Sequence, residues 1–240
     1  MGYQSVFKRY ELKYLLTQEQ KELLLQIMEP YMRLDKYGRT TIRNIYFDTD
    51  NYRLIRHSIE KPVYKEKLRI RSYSRAAEDS PVFVELKKKY KSVVYKRRIL
   101  MPEQQAIAWL CQNTDPPESS QIAHEIEYFC HFYGALHPAV FLTYEREAYY
   151  SLAGDSFRVT FDENILSREE NISLNAEVWG TPLLPKGMVL MELKTPGGIP
   201  LWMTHFLTQQ RLFKTSFSKY GTAYCKKLLK QTEGEHHYAG

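Results

Sequence analysis

The chain has 240 residues, of which 43% are hydrophobic and 26% are charged, so it is neither a disordered nor a collagen-like chain. No apolar run approaches the roughly 18 residues of a membrane-spanning helix, and residues 1–9 lack the apolar stretch of a secretion signal. We therefore expect a cytoplasmic protein that does not itself span a membrane. The net charge of +6 fits a solvated surface, a nucleic-acid face or a phosphate site, so the positions of the charges must decide.

The predicted elements are mainly strands, with helices inserted between them. The first strand carries Arg9, Glu11 and Lys13 on one face, and Thr17 is the predicted N-cap of the helix that follows at residues 18–29. The later elements are a strand at 42–47, a helix capped by 48–50 that ends at 59, strands at 63–73, 82–89 and 92–100, helices at 102–111 and 119–133, strands at 139–150, 156–165 and 189–195, and helices at 201–208 and 219–230. The breaks between them are too short for linkers, which predicts one α+β domain over residues 1–240 with a core at about 5–230.

Charged residues in these strands follow the strand period of two. Between residues 63 and 71, every odd position from Lys65 to Arg71 is basic, whereas the even positions include Leu68 and Ile70. Other strands also place two polar or charged residues two positions apart or on one face. These sets are Glu85 and Lys87, Lys96 and Arg98, Tyr144 and Arg146, Arg158 with Thr160 and Asp162, and Glu192 and Lys194.

Two arrangements explain this pattern. For any single strand, the simpler one is an antiparallel sheet with a solvated, charged outer face. Taken together, however, the charged residues of these strands are mostly basic, whereas a solvated surface usually mixes both signs of charge more evenly. A closed barrel with these faces inward would form a basic tunnel, in which like charges repel strongly unless a polyanion and a divalent cation neutralise them. The pattern therefore points to phosphate chains.

Nine short motifs span residues 7–220 in a fixed order. They are RYELKY at 9–14, YFDT at 46–49, LRIRSY at 68–73, ELK at 85–87, YKRR at 95–98, YER at 144–146, RVTFD at 158–162, MELK at 191–194 and FSKY at 217–220. In this order they resemble the VTC domain, the polyphosphate polymerase branch of the triphosphate tunnel metalloenzymes. The resemblance implies an antiparallel barrel tunnel of about eight strands with flanking helices, a size that can hold side chains or a small ligand.

The resemblance also implies site residues and ligands. Glu192 would hold Mn²⁺ or Mg²⁺, with Glu11 as a further carboxylate for the metal. The hydroxyl groups of Tyr144 and Ser218 would donate hydrogen bonds to phosphate oxygens, and Lys96 or Arg98 would add a cation. The implied catalytic cations that grip phosphate oxygens are Lys13, Arg69, Arg71, Lys87, Arg146, Arg158, Lys194 and Lys219. The implied ligands are ATP or another nucleoside triphosphate, and polyphosphate.

Two positions depart from the family pattern. Hydrolytic members open with a Glu-x-Glu-x-Lys strand, but Arg9 occupies the first acidic position here, and only Glu11 and Lys13 fit. The loss of that carboxylate favours the polymerase branch and leaves fewer metal ligands. Ser216 stands where fungal polymerases tend to carry a basic residue.

The leading hypothesis is polyphosphate synthesis, in which the terminal phosphate of a growing chain attacks the γ-phosphate of ATP. A triphosphatase would use water instead and would need a carboxylate to orient it, either Glu11 or Glu85, although Glu85 more simply pairs with neighbouring cations. A third hypothesis is a non-catalytic polyphosphate or nucleotide sensor, against which the metal carboxylate Glu192 argues. Nucleic-acid binding is least favoured, because the chain lacks the signatures of such folds. A membrane protein that exports or uses the polymer would be a plausible partner.

Overall fold

The computed structural model describes residues 7–91, 93–112, 114–116 and 118–237. Within these residues ten strands form one antiparallel sheet, and six helices flank it. The strands are β1 (Phe7–Thr17), β2 (Met32–Leu34), β3 (Thr40–Asp48), β4 (Tyr64–Ser72), β5 (Pro81–Tyr90), β6 (Val93–Pro102), β7 (His137–Ser151), β8 (Arg158–Arg168), β9 (Thr181–Pro182) and β10 (Met188–Thr195). The helices are α1 (Gln18–Met28), α2 (Arg53–Ile59), α3 (Glu103–Gln112), α4 (Gln121–Tyr133), α5 (Leu201–Gln209) and α6 (Lys219–His237).

Eight of the strands pair in a continuous circuit. Their order is β7, β3, β4, β5, β6, β1, β10 and β8, and β8 pairs again with β7. Strand β1 connects β6 with β10 in this circuit, because residues 7–9 pair with β6 and residues 10–17 pair with β10. The expected α+β fold, an antiparallel barrel of about eight strands with flanking helices, is confirmed.

The predicted elements occur in the predicted order, and the structure differs by two additional strands and by the ends of several elements, such as α6, which ends at His237 rather than at 230. Strands β2 and β9 were not predicted, because runs of three and two residues show no period. Strand β8 ends at Arg168 rather than at 165, because its pairing with β7 continues to Phe141. The predicted strand start at residue 92 lies outside the described residues. No helix in the described part of the chain has both the length and the apolar character needed to cross a bilayer.

Helices α1, α3, α4 and α5 pack on the outer side of the barrel and bury the apolar positions of the strands there. Leu68 and Ile70 of β4 lie in one buried cluster with Trp109 of α3 and Ile126 of α4. Helices α1 and α5 cover β1, β8 and β10 in a second cluster. Because side chains alternate along a strand, burial of the apolar residues on the outside turns the charged residues inward. The inward orientation inferred from the sequence is therefore correct for β4.

The carboxylate of Asp48 connects two helices. It is fully buried and accepts hydrogen bonds from the backbone amides of Leu54 and Ile55, at 2.8 and 3.0 Å, in the first turn of α2. The same group accepts a hydrogen bond of 2.8 Å from the Tyr220 hydroxyl of α6. Asp48 thus caps α2, as the sequence predicted, and fixes the first turn of α6 against it.

Replacement of Asp48 by alanine should lower the free energy of unfolding by about 3 kcal/mol, because three backbone amides, that of Thr49 included, and the Tyr220 hydroxyl lose an acceptor. Denaturant unfolding followed by circular dichroism measures this loss. Asp50→Ala is the matched control, since the Asp50 side chain is 94% exposed and its loss should change stability by less than about 0.5 kcal/mol. Equal losses in the two variants would contradict the role assigned to Asp48.

Candidate functional site

The interior of the strand circuit holds a cavity of about 790 Å³ with a cationic wall. Among the described residues that line it, fourteen are Lys or Arg and two are Glu. This excess of twelve positive charges is twice the net charge of the whole chain, so the residues elsewhere sum to −6. The lining cations are Lys13, Lys61, Lys65, Lys67, Arg69, Arg71, Lys87, Lys89, Lys91, Lys96, Arg146, Lys194, Lys214 and Lys219.

The structure brings most of the sequence-predicted site residues to this cavity. Those in its wall are Glu11, Lys13, Arg69, Arg71, Lys87, Lys96, Tyr144, Arg146, Glu192, Lys194, Ser218 and Lys219. Arg158 is not part of the lining; it is the first residue of β8 and is exposed. Arg98 is not part of it either, because its guanidinium packs 4.8 Å from the centroid of the Phe83 ring. Of the two alternatives on β6, Lys96 is therefore the residue that reaches the cavity.

The buried carboxylate of Glu85 holds part of the cationic wall in place. It accepts a 2.8 Å hydrogen bond from Nε of Arg69 and forms an ion pair with Lys96. Nη1 of Arg69 donates to the Tyr46 hydroxyl at 2.8 Å. Burial alone would raise the pKa of Glu85, but Arg71 and Arg69 hold it well below its ordinary value. Glu85 thus has the salt-bridging role that was the simpler of its two predicted roles.

Asp162 is the corresponding carboxylate for a second group of cations. Its fully buried oxygens accept hydrogen bonds from Nε and Nη2 of Arg146, at 2.6 and 2.7 Å, and from Nζ of Lys219. Burial would raise the pKa of Asp162, but Arg146 and Lys219 lower it well below its ordinary value, so the carboxylate stays charged. Both cations also lie over the Tyr144 ring, at 5.0 and 4.4 Å from its centroid. Arg146 and Lys219 are therefore oriented before any ligand binds.

The segment that precedes α6 contributes to the cavity through its backbone and side chains. Nζ of Lys13 donates to the carbonyl of Phe217 at 2.9 Å. The Oγ of Ser218 accepts hydrogen bonds from Nζ of Lys67 at 2.9 Å and from the amide of Gly221 at 3.2 Å. Ser218 thus caps α6, and the N-terminal end of this long helix lies at the cavity. Helix N-termini carry a partial positive charge and favour anions.

Glu11 and Glu192 are the two carboxylates of the lining, and they lie on the paired strands β1 and β10. Glu11 is opposite Lys194, and Glu192 is opposite Lys13. Nζ of Lys87 lies 2.6 Å from Glu11, and Nζ of Lys194 lies 3.5 Å from Glu192. No group of three His, Cys, Asp or Glu side chains in the described ranges is placed to hold a metal. The two carboxylates nevertheless fit Mg²⁺ or Mn²⁺, because such hard cations often bind through one or two carboxylates and substrate phosphates.

Three residues with direct contacts to this set were not predicted as site residues. Lys67 has the same strand parity as Arg69, and this parity was sufficient to predict that its side chain faces the cavity. Asp162 was placed on one face with Arg158, but nothing in the sequence showed that it pairs with Arg146. Tyr46 lies in the YFDT motif, but nothing in the sequence showed that its hydroxyl contacts Arg69 of the neighbouring strand.

A family model for the VTC domain matches residues 8–228. No curated protein sequence has significant similarity to the chain. Among solved structures, a candidate adenylate cyclase from Bacillus halodurans is similar, with 14% identity, a TM-score of 0.56 and coverage of 90% of this chain and 96% of that one. A candidate adenylyl cyclase from Hippeastrum, described as having a dominant triphosphatase activity, has 17% identity, a TM-score of 0.56 and coverage of 88% and 93%.

At these identities the two solved structures establish a shared fold and nothing more. The match of the family model extends over every strand of the circuit, from β1 to β10, and into α6. It therefore includes both carboxylates of the cavity and the segment that carries Ser218 and Lys219. A barrel with this interior and a family match of this extent lead to one assignment: the chain belongs to the VTC domain family and has the triphosphate tunnel fold.

Proposed function

We propose that this protein is a metal-dependent phosphotransferase that holds a triphosphate or polyphosphate chain in the cavity and makes polyphosphate from ATP. The observation that carries the proposal is the concentration of fourteen cations around two carboxylates in a cavity of about 790 Å³. That volume is typical of small-molecule sites, and a phosphate chain supplies the negative charge that such a wall needs. ATP as the donor fits a cytoplasmic location, and a membrane protein that exports or uses the polymer is a natural partner.

The reaction we propose is the attack of a terminal phosphate oxygen of the growing chain on the γ-phosphorus of ATP. The bond between that phosphorus and the bridging oxygen breaks, and ADP leaves. The nucleophile is already ionised, so the protein needs no strong base and contributes positioning and charge neutralisation. Arg69 and Arg146 present guanidinium groups already oriented by Glu85 and Asp162, and such planar groups can bind two phosphate oxygens at once.

Glu192, with Glu11, would hold the divalent cation, Mn²⁺ or Mg²⁺, which neutralises charge on the phosphate oxygens during transfer. Burial would raise the pKa of Glu192, but Lys194 and Lys13 hold it well below its ordinary value. The carboxylate therefore remains ionised and available to a metal throughout the neutral pH range. An ionised carboxylate within a cationic wall supports an enzyme rather than a sensor, because a site that only binds phosphate does not require a metal-binding carboxylate.

A triphosphatase is the second candidate. It is favoured by the activity described for the Hippeastrum protein and by the position of Glu11 in the cavity wall. However, the close ion pair of Glu11 with Lys87 occupies one of its oxygens. Nucleic-acid binding has less support, because the charged ladder of β4 faces the cavity rather than the outer surface.

The decisive experiment is incubation of the purified protein with ATP and Mn²⁺, followed by separation of polyphosphate from free phosphate on a gel. A ladder of chains that disappears in a Glu192→Ala variant supports the polymerase. Free phosphate without polyphosphate chains would support a triphosphatase instead of a polymerase. The absence of both products, together with tight triphosphate binding, would indicate a sensor.

Binding of ATP should be accompanied by proton uptake above neutral pH. Burial lowers the pKa of Lys96 to about 7 and that of Lys13 to about 8, so both are partly uncharged in the free protein. A bound phosphate chain would raise both pKa values, whereas the terminal phosphate of ATP is already ionised at about pH 8.5 and releases few protons. Calorimetry in two buffers of different ionisation enthalpy, without metal, measures the uptake.

Lys96→Met should reduce this uptake, whereas Lys88→Met should not change it, because Lys88 pairs with Glu125 on the outer face of the barrel. Net proton release from the wild-type protein at this pH would contradict the prediction.

A further inference from the structure

Lys67 lies in the cavity wall, and neither the motifs nor the proposed mechanism gives it a role. It follows Lys65 and precedes Arg69 on the inward face of β4, and it is paired with Lys87 of β5. Two of its cationic neighbours have a carboxylate partner, because Arg69 pairs with Glu85 and Lys87 pairs with Glu11. Among the described residues, no carboxylate forms an ion pair with Lys67, and its polar contact is the Ser218 hydroxyl, at 2.9 Å.

The contacts of Ser218 fix the direction of its hydroxyl group. A hydroxyl oxygen has two lone pairs and one hydrogen. The Oγ of Ser218 accepts from Nζ of Lys67 at 2.9 Å and from the amide of Gly221 at 3.2 Å, which uses both lone pairs. Its own hydrogen is therefore left to donate, and Ser218 lines the cavity. An acceptor that enters the cavity can take this hydrogen bond.

The two groups thus present one positive charge and one hydroxyl donor to the same place. An acceptor that bridges them must be anionic and must offer at least one oxygen, which describes a phosphate group. The position of this pair at the N-terminal end of α6 adds the partial charge of the helix.

We propose that Lys67 and Ser218 form a single phosphate-binding unit, in which Lys67 supplies charge and also orients the Ser218 hydroxyl toward the phosphate. The inference rests on the proposed function, since it takes a phosphate chain to be the occupant of the cavity. It makes Lys67 a substrate-binding residue, and it makes the contribution of Ser218 dependent on Lys67.

The electrostatic environment of Lys67 agrees with this role. Burial, and then the charges of Lys13, Lys87 and Lys65, lower the pKa of Lys67 well below its ordinary value. Without a ligand the positive charge of Lys67 is therefore disfavoured. A phosphate beside it would raise this pKa and favour the charged form, which agrees with a role in binding the substrate.

A double-mutant cycle tests the unit. Lys67→Met, Ser218→Ala and the double variant are compared for binding of tripolyphosphate by calorimetry in metal-free buffer, a measurement that does not depend on turnover. Each single change is expected to weaken binding by about 10-fold, as for other charged hydrogen bonds. The double variant should bind only slightly more weakly than the weaker of the two single variants, because each single change already disrupts the same unit.

The matched control is Lys65→Met, at the next inward position of β4. Nζ of Lys65 donates to the carbonyl of Ser58 at 3.0 Å and makes no contact with Ser218. The fold-losses of affinity caused by Lys65→Met and Ser218→Ala should therefore multiply when the two changes are combined. The fold-losses caused by Lys67→Met and Ser218→Ala should not. Lys67→Arg, which keeps a charged donor, should restore part of the affinity.

Thermal unfolding supplies a readout that a purely structural residue would not give. Without ligand, Lys67→Met and Lys67→Gln should unfold at or above the wild-type temperature, because each removes a buried amine whose charged form is disfavoured in the empty cavity. With tripolyphosphate they should gain less stability than the wild type. Multiplicative effects of Lys67→Met and Ser218→Ala, or a loss of stability in both Lys67 variants without ligand, would overturn the inference. Failure of the wild-type protein to bind tripolyphosphate would instead overturn the proposed function.

Discussion

A Glu192→Gln variant is expected to bind tripolyphosphate at least as tightly as the wild-type protein and to lose metal-dependent turnover by about 100-fold or more. The reason is that the amide removes a negative charge from a cationic wall but no longer offers a charged oxygen to a divalent cation. Steady-state rates with ATP at a series of Mn²⁺ concentrations, combined with calorimetric binding in metal-free buffer, separate these two effects.

The control for this variant is Glu125→Gln, which makes the same chemical change on α4, where the carboxylate contacts Lys88 and Arg97 outside the barrel. Its turnover should stay within about 2-fold of the wild-type value. Full turnover by Glu192→Gln would remove Glu192 as the metal ligand. Parallel loss of binding and turnover would show that the substitution disrupts the cavity.

Replacement of Arg146 by lysine should lower kcat/KM for ATP by about 100-fold, although the positive charge is kept. Arg146 donates two hydrogen bonds to Asp162 while it lies over Tyr144, and an ammonium group cannot reproduce this planar geometry. Lysine also keeps a second cation beside the buried Asp162, whereas alanine at this position would leave Lys219 to compensate that carboxylate without Arg146.

Arg97→Lys is the matched control, because Arg97 makes a 3.2 Å contact with Glu125 on the outer side of β6. It should change kcat/KM by less than about 2-fold. If the two arginine variants have equal activity, the geometry at Arg146 has no part in the reaction. Unfolding midpoints of both variants show whether a rate change reflects a change in stability.

Strand parity allowed the inward face to be predicted from the sequence. On β4 the cations Lys65, Lys67, Arg69 and Arg71 alternate with Glu66, Leu68 and Ile70, which predicted that these cations share a face, and all four line the cavity. The same reasoning could not predict how far along the barrel each residue lies. Arg158 has the parity of Asp162, but it starts its strand and stays outside the cavity.

Side-chain contacts between strands could not be predicted from the sequence, because they depend on the pairing register of the strands. Asp162 and Arg146 are directly paired on β8 and β7, past an irregularity in the pairing near Thr143. No local pattern encodes that irregularity. The contacts of residues 217–220 were similarly hidden, although the resemblance implied roles for Ser218 and Lys219, since these contacts depend on how α6 approaches α2 through Tyr220 and Asp48. Face and element type were thus predictable, whereas partners were not.

The separation of charge between the cavity and the rest of the molecule gives the protein a directional electric field. The residues that line the cavity carry twelve excess positive formal charges, or ten when the buried partners Glu85 and Asp162 are counted with them, and the remaining residues then sum to −4. An anion is therefore attracted from the side of the cavity and repelled elsewhere, which raises the rate of productive encounters. We expect the association rate constant of ATP, measured by stopped flow, to fall steeply between low and about 0.5 M salt, where the Debye length becomes shorter than the cavity. An association rate that does not respond to salt would show that this separation of charge does not guide the ligand.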